Sequence, residues 1–315
     1  MAGGLDGAGR MPWFQPGRLA AMLFLALSVL APSCGFKAMA AETVVDALGR
    51  TVAPGPATRI LTLGSDVTEI VFALGAGERI IAVDRGSKYP PEVTGKPNVG
   101  YRRQLSVEGL AGLRPDLILA AEDSGPPEAV EVLKSLAIPI VFIPQDNTPQ
   151  GIERKITLVA ASLGLEDKGK SVSADVLGAF QAAADLAAKI PPERRKKVVF
   201  FHGLVKLSAA GAGTSADAII RYAGGLNPMD VVQGYKAASE EKLVEMAPDV
   251  IVMMSDGKGG PTPEQVFSNR ALATTPAAAN KALVVLDGAY MIGFGPRTAD
   301  AIRDLAKALY PETVD

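Results

Sequence analysis

Histidine occurs once in the 315 residues, at His202, and cysteine once, at Cys34. A protein-held zinc or manganese ion needs several converging His, Cys or carboxylate ligands, so a metal-ion binder is disfavoured. No Gly-x-Ser-x-Gly elbow is present and the lone histidine has no sequence-linked serine, which leaves an exported hydrolase as the less favoured alternative. Any ATP hydrolysis is expected to belong to another chain. Lys+Arg number 32 against 34 Asp+Glu, a formal charge of −2 with no long run of one sign, and a nucleic-acid partner is therefore disfavoured. The apolar run from Leu19 to Ala31 is too short to span a bilayer comfortably.

That run has another reading. Arg10 and Arg18 precede it, and Ala38 and Ala40 supply small residues at the −3 and −1 positions of a cleavage site, the pattern of an export signal over residues 1–40. An uncleaved anchor is the alternative, and lipid attachment at Cys34 is a poor match to the residues before it. Cleavage near Ala40 removes Arg10, Arg18, Lys37 and Asp6, leaves 29 basic and 33 acidic side chains, and takes away the only cysteine. The exported chain then needs no oxidative folding.

What remains is long enough for two lobes. "TVVDALGRTV" predicts a hairpin, Arg59 to Leu63 a core strand, "SDVTEIVFALGAG" a glycine-stopped helix and "RIIAVD" another strand. The same grammar returns in "KKVVFF", "GTSADAIIRYAGG", "DVIVMM" and "ALVVLD". Ser106, Glu108, Leu110, Pro115, Asp116 and Ile118 recur as Ser239, Glu241, Leu243, Pro248, Asp249 and Ile251, every pair offset by 133 residues. This is an internal duplication. Between the copies, Leu165 to Ile190 is Ala-rich, has helical spacing and stops at Pro191 and Pro192. The expected fold is α/β: an N-terminal lobe over 41–164, one long rigid helix over 165–190 and a C-terminal lobe over 191–315, with central mostly parallel sheets and a ligand cleft between the lobes.

Several residues stand out. Tyr101 sits beside Arg102 and Arg103 in a loop opened by Gly100, where a tyrosine packed at a loop edge is the plain alternative to a binding role. His202 ends a predicted strand. Gly211, Gly213 and Thr214 precede one helix, and Gly293, Gly295 and Arg297 another; exposed N–H groups there would receive an anion, while glycines needed only for tight turns explain each position equally. Glu108 and Glu241 put one carboxylate in each copy of the duplication, near a helix start where they also complement the dipole.

The stretches "ILTLGSDVTEIVFALGAGERIIAVD", "VGYRRQLSVEGLAGLRPDLIL", "AAGAGTSADAIIRYAGGLNP" and "GFGPRTADAI" resemble periplasmic haem-binding proteins of bacterial ABC haem importers, within the helical-backbone class of substrate-binding proteins. The likeness runs from about Val44 onward. "VGY-x-R-x-LS-x-EG" is its most specific piece; the opening helix and "RPDLIL" are shared with siderophore and cobalamin binders, which stay as the nearer alternatives. The resemblance implies a periplasmic, non-enzymatic protein whose cargo, not cofactor, is haem. By the same resemblance Tyr101 is the axial ligand to haem iron, Arg103 matches the arginine that follows it and either tunes Tyr101 or pairs with a propionate, and Arg102 fills a variable position; Arg297, beside its glycine turn, is the expected contact for a propionate. It makes His202 either a holder of a second haem or an unliganded strand-end histidine. It also implies docking of Glu108 and Glu241 on arginines of an inner-membrane permease dimer with its ATPase subunits, the binding protein acting as a monomer. A phenolate is a hard anionic donor suited to ferric iron, and a nearby guanidinium favours that anion.

Overall fold

The computed structural model describes residues 42–255 and 259–312. The export signal, its cleavage near Ala40 and Cys34 lie outside the described residues. Among the described residues no helix is long and apolar enough to cross a membrane.

Strands Ile60–Leu63, Ile80–Val83, Leu117–Ala121 and Ile140–Ile143 form a sheet in which every neighbouring pair is parallel, Ile60–Leu63 and Leu117–Ala121 being central. Both central strands are buried along their whole length, as unbroken apolar runs require of a parallel sheet covered on both faces. A second sheet runs Leu283–Asp287, Val250–Ser255, Val198–Phe201, all parallel, and continues into Ser208–Ala210 and Tyr235–Ala237, which are antiparallel. The sequence reading anticipates the parallel strands other than Ile140–Ile143, and it also misses these two short ones. Val44–Val45 and Thr51–Val52 pair as the expected hairpin.

Side chains alternate across each sheet with period two, so each strand feeds two cores. Leu61, Leu63, Ile118, Ala120 and Phe142 face helices Val107–Gly112 and Pro127–Ser135, burying Leu110, Val130 and Leu133. Val199, Phe201, Ile251 and Met253 form the matching outer core of the second sheet with Leu243 and Met246 of helix Glu240–Met246. The inner faces behave differently. Ile60, Leu117 and Val141 of the first sheet belong to the same continuous core as Val198, Phe200 and Val252 of the second. Helices Ser65–Ala73, Pro149–Leu163, Ser215–Tyr222 and Thr298–Leu309 contribute to that core, and so does the 23-residue helix Glu166–Ala188, which at 1.5 Å per residue is roughly 35 Å long.

One polar contact crosses this core. Lys155 is fully buried in helix Pro149–Leu163, and its Nζ donates to Asp66 Oδ2 at 2.6 Å and to the Phe294 carbonyl at 3.1 Å. Gln145 adds a second donor to the cluster, 3.1 Å from Asp66 Oδ2. The second lobe's Gly293–Arg297 turn is thereby fastened to two helices of the first.

The duplication has a structural counterpart at each position. Ser106 and Ser239 both cap helices, accepting from Gly109 N and Lys242 N. Leu110 and Leu243 are both buried. Asp116 accepts from the backbone N of Thr58 and Arg59, and Asp249 from the backbone N of Lys197, each carboxylate clasping the strand next to its own. The correspondence extends to a feature no residue type announces: Arg114 (φ 49°) and Ala247 (φ 43°), again 133 apart, are both left-handed non-glycines that end their helices.

Candidate functional site

Tyr101 follows Gly100, whose φ of 88° is open to glycine and costly for other residues, and it enters a turn in which Gln104 N donates to the Tyr101 carbonyl at 2.8 Å. Two backbone bonds hold this turn to the end of the neighbouring strand's loop, Gly125 N to the Arg102 carbonyl and Leu105 N to the Gly125 carbonyl, each 2.9 Å. Another joins Arg85 N to the Gly100 carbonyl at 2.7 Å. The Arg85 loop is itself fixed from inside. Asp84, fully buried, accepts from Gly64 N, Gly86 N and Ser87 Oγ, and Ser87 continues the chain through Thr68 to Thr62.

The phenol of Tyr101 is half-buried and accepts a hydrogen bond from Arg103 Nη1 at 2.7 Å. Arg103 turns its other edge to Asp123, which also holds Arg102 by two bonds of 2.9 and 2.8 Å. Burial works against the charge on Arg103, but the bond to Tyr101 and the Asp123 carboxylate outweigh it and raise its pKa. Burial likewise opposes the Asp123 anion, and the two guanidinium groups more than compensate, holding its pKa below the ordinary carboxylate value. Arg85 lies over the same phenol, its Cζ 5.1 Å from the ring centroid, and is exposed. The pattern is a phenol oxygen aimed outward with one cation bonded to it, a second over its ring and a carboxylate fixing the first. Of these partners the sequence reading named Arg103; Arg85 and Asp123 it missed, and the one available signal for Asp123 is an acid beside the end of a buried strand.

His202 is exposed at the C-terminal end of strand Val198–Phe201. Its ring packs edge-on against Tyr235, centroids 6.0 Å apart, and Tyr235 also meets Phe200 at 6.3 Å. Burial raises the Tyr235 pKa, and the positive charge of Arg103 pulls it part of the way back, so the first lobe's cation reaches the second lobe's phenol. His202 thus stands at a strand end of the second sheet beside Tyr235, on which Arg103 acts from the first lobe.

Arg297 sits elsewhere. Its Nε and Nη2 form a fork on Glu69 at 2.9 and 2.5 Å, and its guanidinium is sandwiched between Tyr89, 3.8 Å from the ring centroid, and Tyr290 at 4.9 Å. Burial pushes Glu69 up despite the fork, whereas Glu69 raises Arg297; these directions oppose, and the short two-pronged geometry is that of an ionised pair. Glu69 and Tyr89 belong to the first lobe and Arg297 and Tyr290 to the second, so the contact is a second inter-lobe tie. The first glycine turn does not offer the free row of N–H groups expected of an anion cradle. Gly211 N and Ala212 N are bonded to the Gly234 and Val232 carbonyls, and a Cβ on Gly211 would lie 2.1 Å from the Val232 oxygen. A Cβ on Gly295 would meet Asp66 at 3.3 Å. These glycines permit close backbone packing.

Glu108 and Glu241 are exposed in the first turns of helices Val107–Gly112 and Glu240–Met246, one on each lobe, and neither has a polar partner among the described residues. Two surface concavities, of about 130 and 320 Å³, share Arg195 and Arg221 and lie at the start of strand Val198–Phe201, the end opposite His202. They hold none of the expected site residues.

Comparison with known proteins gives a consistent picture. The family model described as periplasmic binding protein matches residues 60–290. The periplasmic heme-binding protein RhuT from Roseiflexus sp. RS-1, in apo form, is 35% identical, with a TM-score of 0.76 over 80% of this chain and 98% of its own. The periplasmic heme-binding protein BhuT in complex with two hemes is 34% identical, with a TM-score of 0.73 over the same 80% and 98%. The vitamin B12-binding protein of Vibrio parahaemolyticus is 25% identical over 82% of this chain and 91% of its own length.

Proposed function

This chain belongs to the periplasmic binding protein family, and from that premise we propose that it captures ferric haem in the cleft between its lobes through Tyr101 and delivers it to an inner-membrane ABC permease dimer. The observation that carries the reading is the hydrogen bond from Arg103 to the Tyr101 phenol, with Asp123 holding the guanidinium in place. Ferric iron takes the phenolate oxygen; the phenolic proton leaves to solvent, and Arg103 stabilises the anion that remains. Asp123 does for Arg103 what an outer carboxylate does for a metal-bound histidine: it fixes orientation.

Haem also carries two carboxylates. Arg85 is the cation we assign to a propionate, because it is exposed beside Tyr101 and makes no ion pair among the described residues. Arg297 we place in the lobe tie and not on a propionate, since Glu69 already occupies its fork. Apolar surface comes from the second lobe, where Val205 is fully exposed and Tyr235 is 40% exposed beside His202. Glu108 and Glu241 are the docking carboxylates in this reading, one per lobe, facing a two-fold partner with complementary charge. A binding protein outside the cytoplasm needs no catalytic group, and the export reading of residues 1–40 fits this role.

A second cargo has support of its own, the 25% identity to a vitamin B12-binding protein. A ferric-haem titration followed in the visible spectrum, repeated with cobalamin, decides between them. Saturable haem binding with a high-spin tyrosinate spectrum that disappears in Tyr101→Ala is the expected result. Saturable binding of cobalamin alone would replace it.

A further inference from the structure

The internal duplication provides a control for the surface at the start of strand Val198–Phe201, the end away from His202. Asp116 and Arg59 exchange hydrogen bonds, Arg59 N donating to Asp116 Oδ1 and Asp116 N to the Arg59 carbonyl; Asp249 and Lys197 do the same. Arg59 and Lys197 are therefore equivalent positions, and so are Ala57 and Arg195, two residues earlier. Helices Ser65–Ala73 and Ser215–Tyr222 are each framed by left-handed glycines eleven residues apart, Gly64 and Gly75 in one lobe and Gly213 and Gly224 in the other. That frame makes Arg221 the equivalent of Phe72.

The equivalents behave differently. In the first lobe Arg59 spends its guanidinium just past helix Val107–Gly112, Nε on the Arg114 carbonyl at 3.1 Å and Nη2 on the Leu113 carbonyl at 2.9 Å. Ala57 is buried there, and Phe72 packs against Gly77. In the second lobe all three places are cationic. Arg195, Lys197 and Arg221 line the concavity of about 320 Å³, and Asp230 is the one acid in its wall. Exposed Lys197 has no partner for its ammonium among the described residues. Arg195 makes one long bond, Nε to the Ile190 carbonyl at 3.4 Å, and Arg221 one ion pair, Nη2 to Asp217 at 3.0 Å. A guanidinium carries five N–H groups, so most of these donors remain unspent.

Three cations around one concavity repel one another, and the first lobe shows that the fold does not require them. Main-chain donors in the wall are already committed, Gly225 N to the Ile220 carbonyl and Leu226 N to the Lys196 carbonyl, which leaves recognition to the side chains. We propose that this concavity is an oxyanion site for a phosphate group, held by the forks of Arg195 and Arg221 with Lys197 as a point charge. It uses no residue assigned to haem, so it stands or falls independently of that reading. A soluble phosphate compound and a phospholipid head group present the same chemistry, and experiment separates them.

The test is isothermal titration with inorganic phosphate at low ionic strength, beside cosedimentation with phosphatidylcholine vesicles containing phosphatidylglycerol, for wild type, Lys197→Gln and Arg195→Gln. Circular dichroism checks that each variant is folded; Lys197→Gln removes a side chain without a partner and leaves the fold's own contacts intact. Saturable phosphate binding by the wild type, weakened about tenfold in each variant by the loss of one charge-assisted hydrogen bond, is the expected result. Vesicle binding that both variants lose assigns the head group as the source, whether or not the free ion binds; phosphate binding without it assigns a soluble compound. Phosphate binding that neither substitution weakens overturns the site, because the anion then sits elsewhere. No saturable phosphate binding, together with vesicle binding that is absent or insensitive to both substitutions, overturns it as well.

Discussion

Lys155 and Asp66, 89 residues apart, form a buried ion pair at 2.6 Å with the Lys155 side chain 1% exposed and that of Asp66 5% exposed. Neither charge has water to fall back on, so each depends on the other, Lys155 also on the Phe294 carbonyl and Asp66 also on the Gln145 amide. Removing one partner strands the other in the core, which costs about 3 to 5 kcal/mol, whereas replacing both with apolar groups of similar volume costs far less. We expect Lys155→Met to lower the urea-unfolding free energy by that amount and Lys155→Met with Asp66→Leu to recover most of it. Equal losses in the single and double variants would show that packing, not charge, governs the site.

Arg103 bonds two groups at once, Tyr101 through one nitrogen and Asp123 through the others. A lysine keeps the charge and cannot span both. Arg103→Lys is expected to weaken ferric-haem binding about tenfold, the worth of one charge-assisted hydrogen bond, and to raise the pH at which the tyrosinate spectrum forms. An unchanged affinity and spectrum would remove Arg103 from the ligand site.

Asp123 sets the acid limit of this site. Its folded pKa lies below the unfolded value of about 3.9, because Arg102 and Arg103 favour the anion over the opposing effect of burial. A depressed carboxylate contributes stability that is present above the unfolded pKa and is lost as pH falls through the folded one. The contribution of Asp123 is therefore constant through neutral pH and declines only below about pH 4. Comparing thermal midpoints of wild type and Asp123→Asn from pH 7 to pH 3 should show the gap between them narrowing at the acid end. A gap that widens instead would reverse the sign of this coupling.

Glu108 and Glu241 are exposed and are not among the residues assigned to the haem, so reversing their charge should separate docking from capture. Glu108→Lys with Glu241→Lys is expected to abolish binding-protein-stimulated ATP hydrolysis by the reconstituted transporter while leaving the haem titration within twofold of wild type. Either single reversal should give a partial loss, one lobe still being engaged. Full stimulation by the double variant would mean that the docking surface lies elsewhere.

Much of the fold was legible in the sequence because its signals are local. Apolar runs such as "LILAA" mark strands buried on both faces, and the proline stop after Ile190 marks the end of the long helix, observed over Glu166–Ala188. The duplication added what local signals lack, relating Asp116 to Asp249 before either was seen clasping its neighbouring strand. Contacts between distant segments left no such trace. Arg297 and Glu69 are 228 residues apart, and nothing near "GFGPRT" shows that its arginine is already taken. Lys155 sits in "IERKITL", where a lysine ordinarily faces water, and only the tertiary fold buries it. Ser208–Ala210 and Tyr235–Ala237 are three residues each, too short for alternation to register.

The continuous core that joins the inner faces of the two sheets bears on how a transporter can tell a loaded molecule from an empty one. Prising apart a joint of this kind exposes apolar surface at roughly 2.5 kcal/mol for every 100 Å². Thermal fluctuation alone then seldom opens it, and in the proposed role full and empty forms would differ little in how their lobes are set. Recognition of occupancy falls to the loops at the rim, where the cargo itself alters charge and shape. In that role the work of ejecting the cargo would fall to the proposed permease and its ATPase subunits.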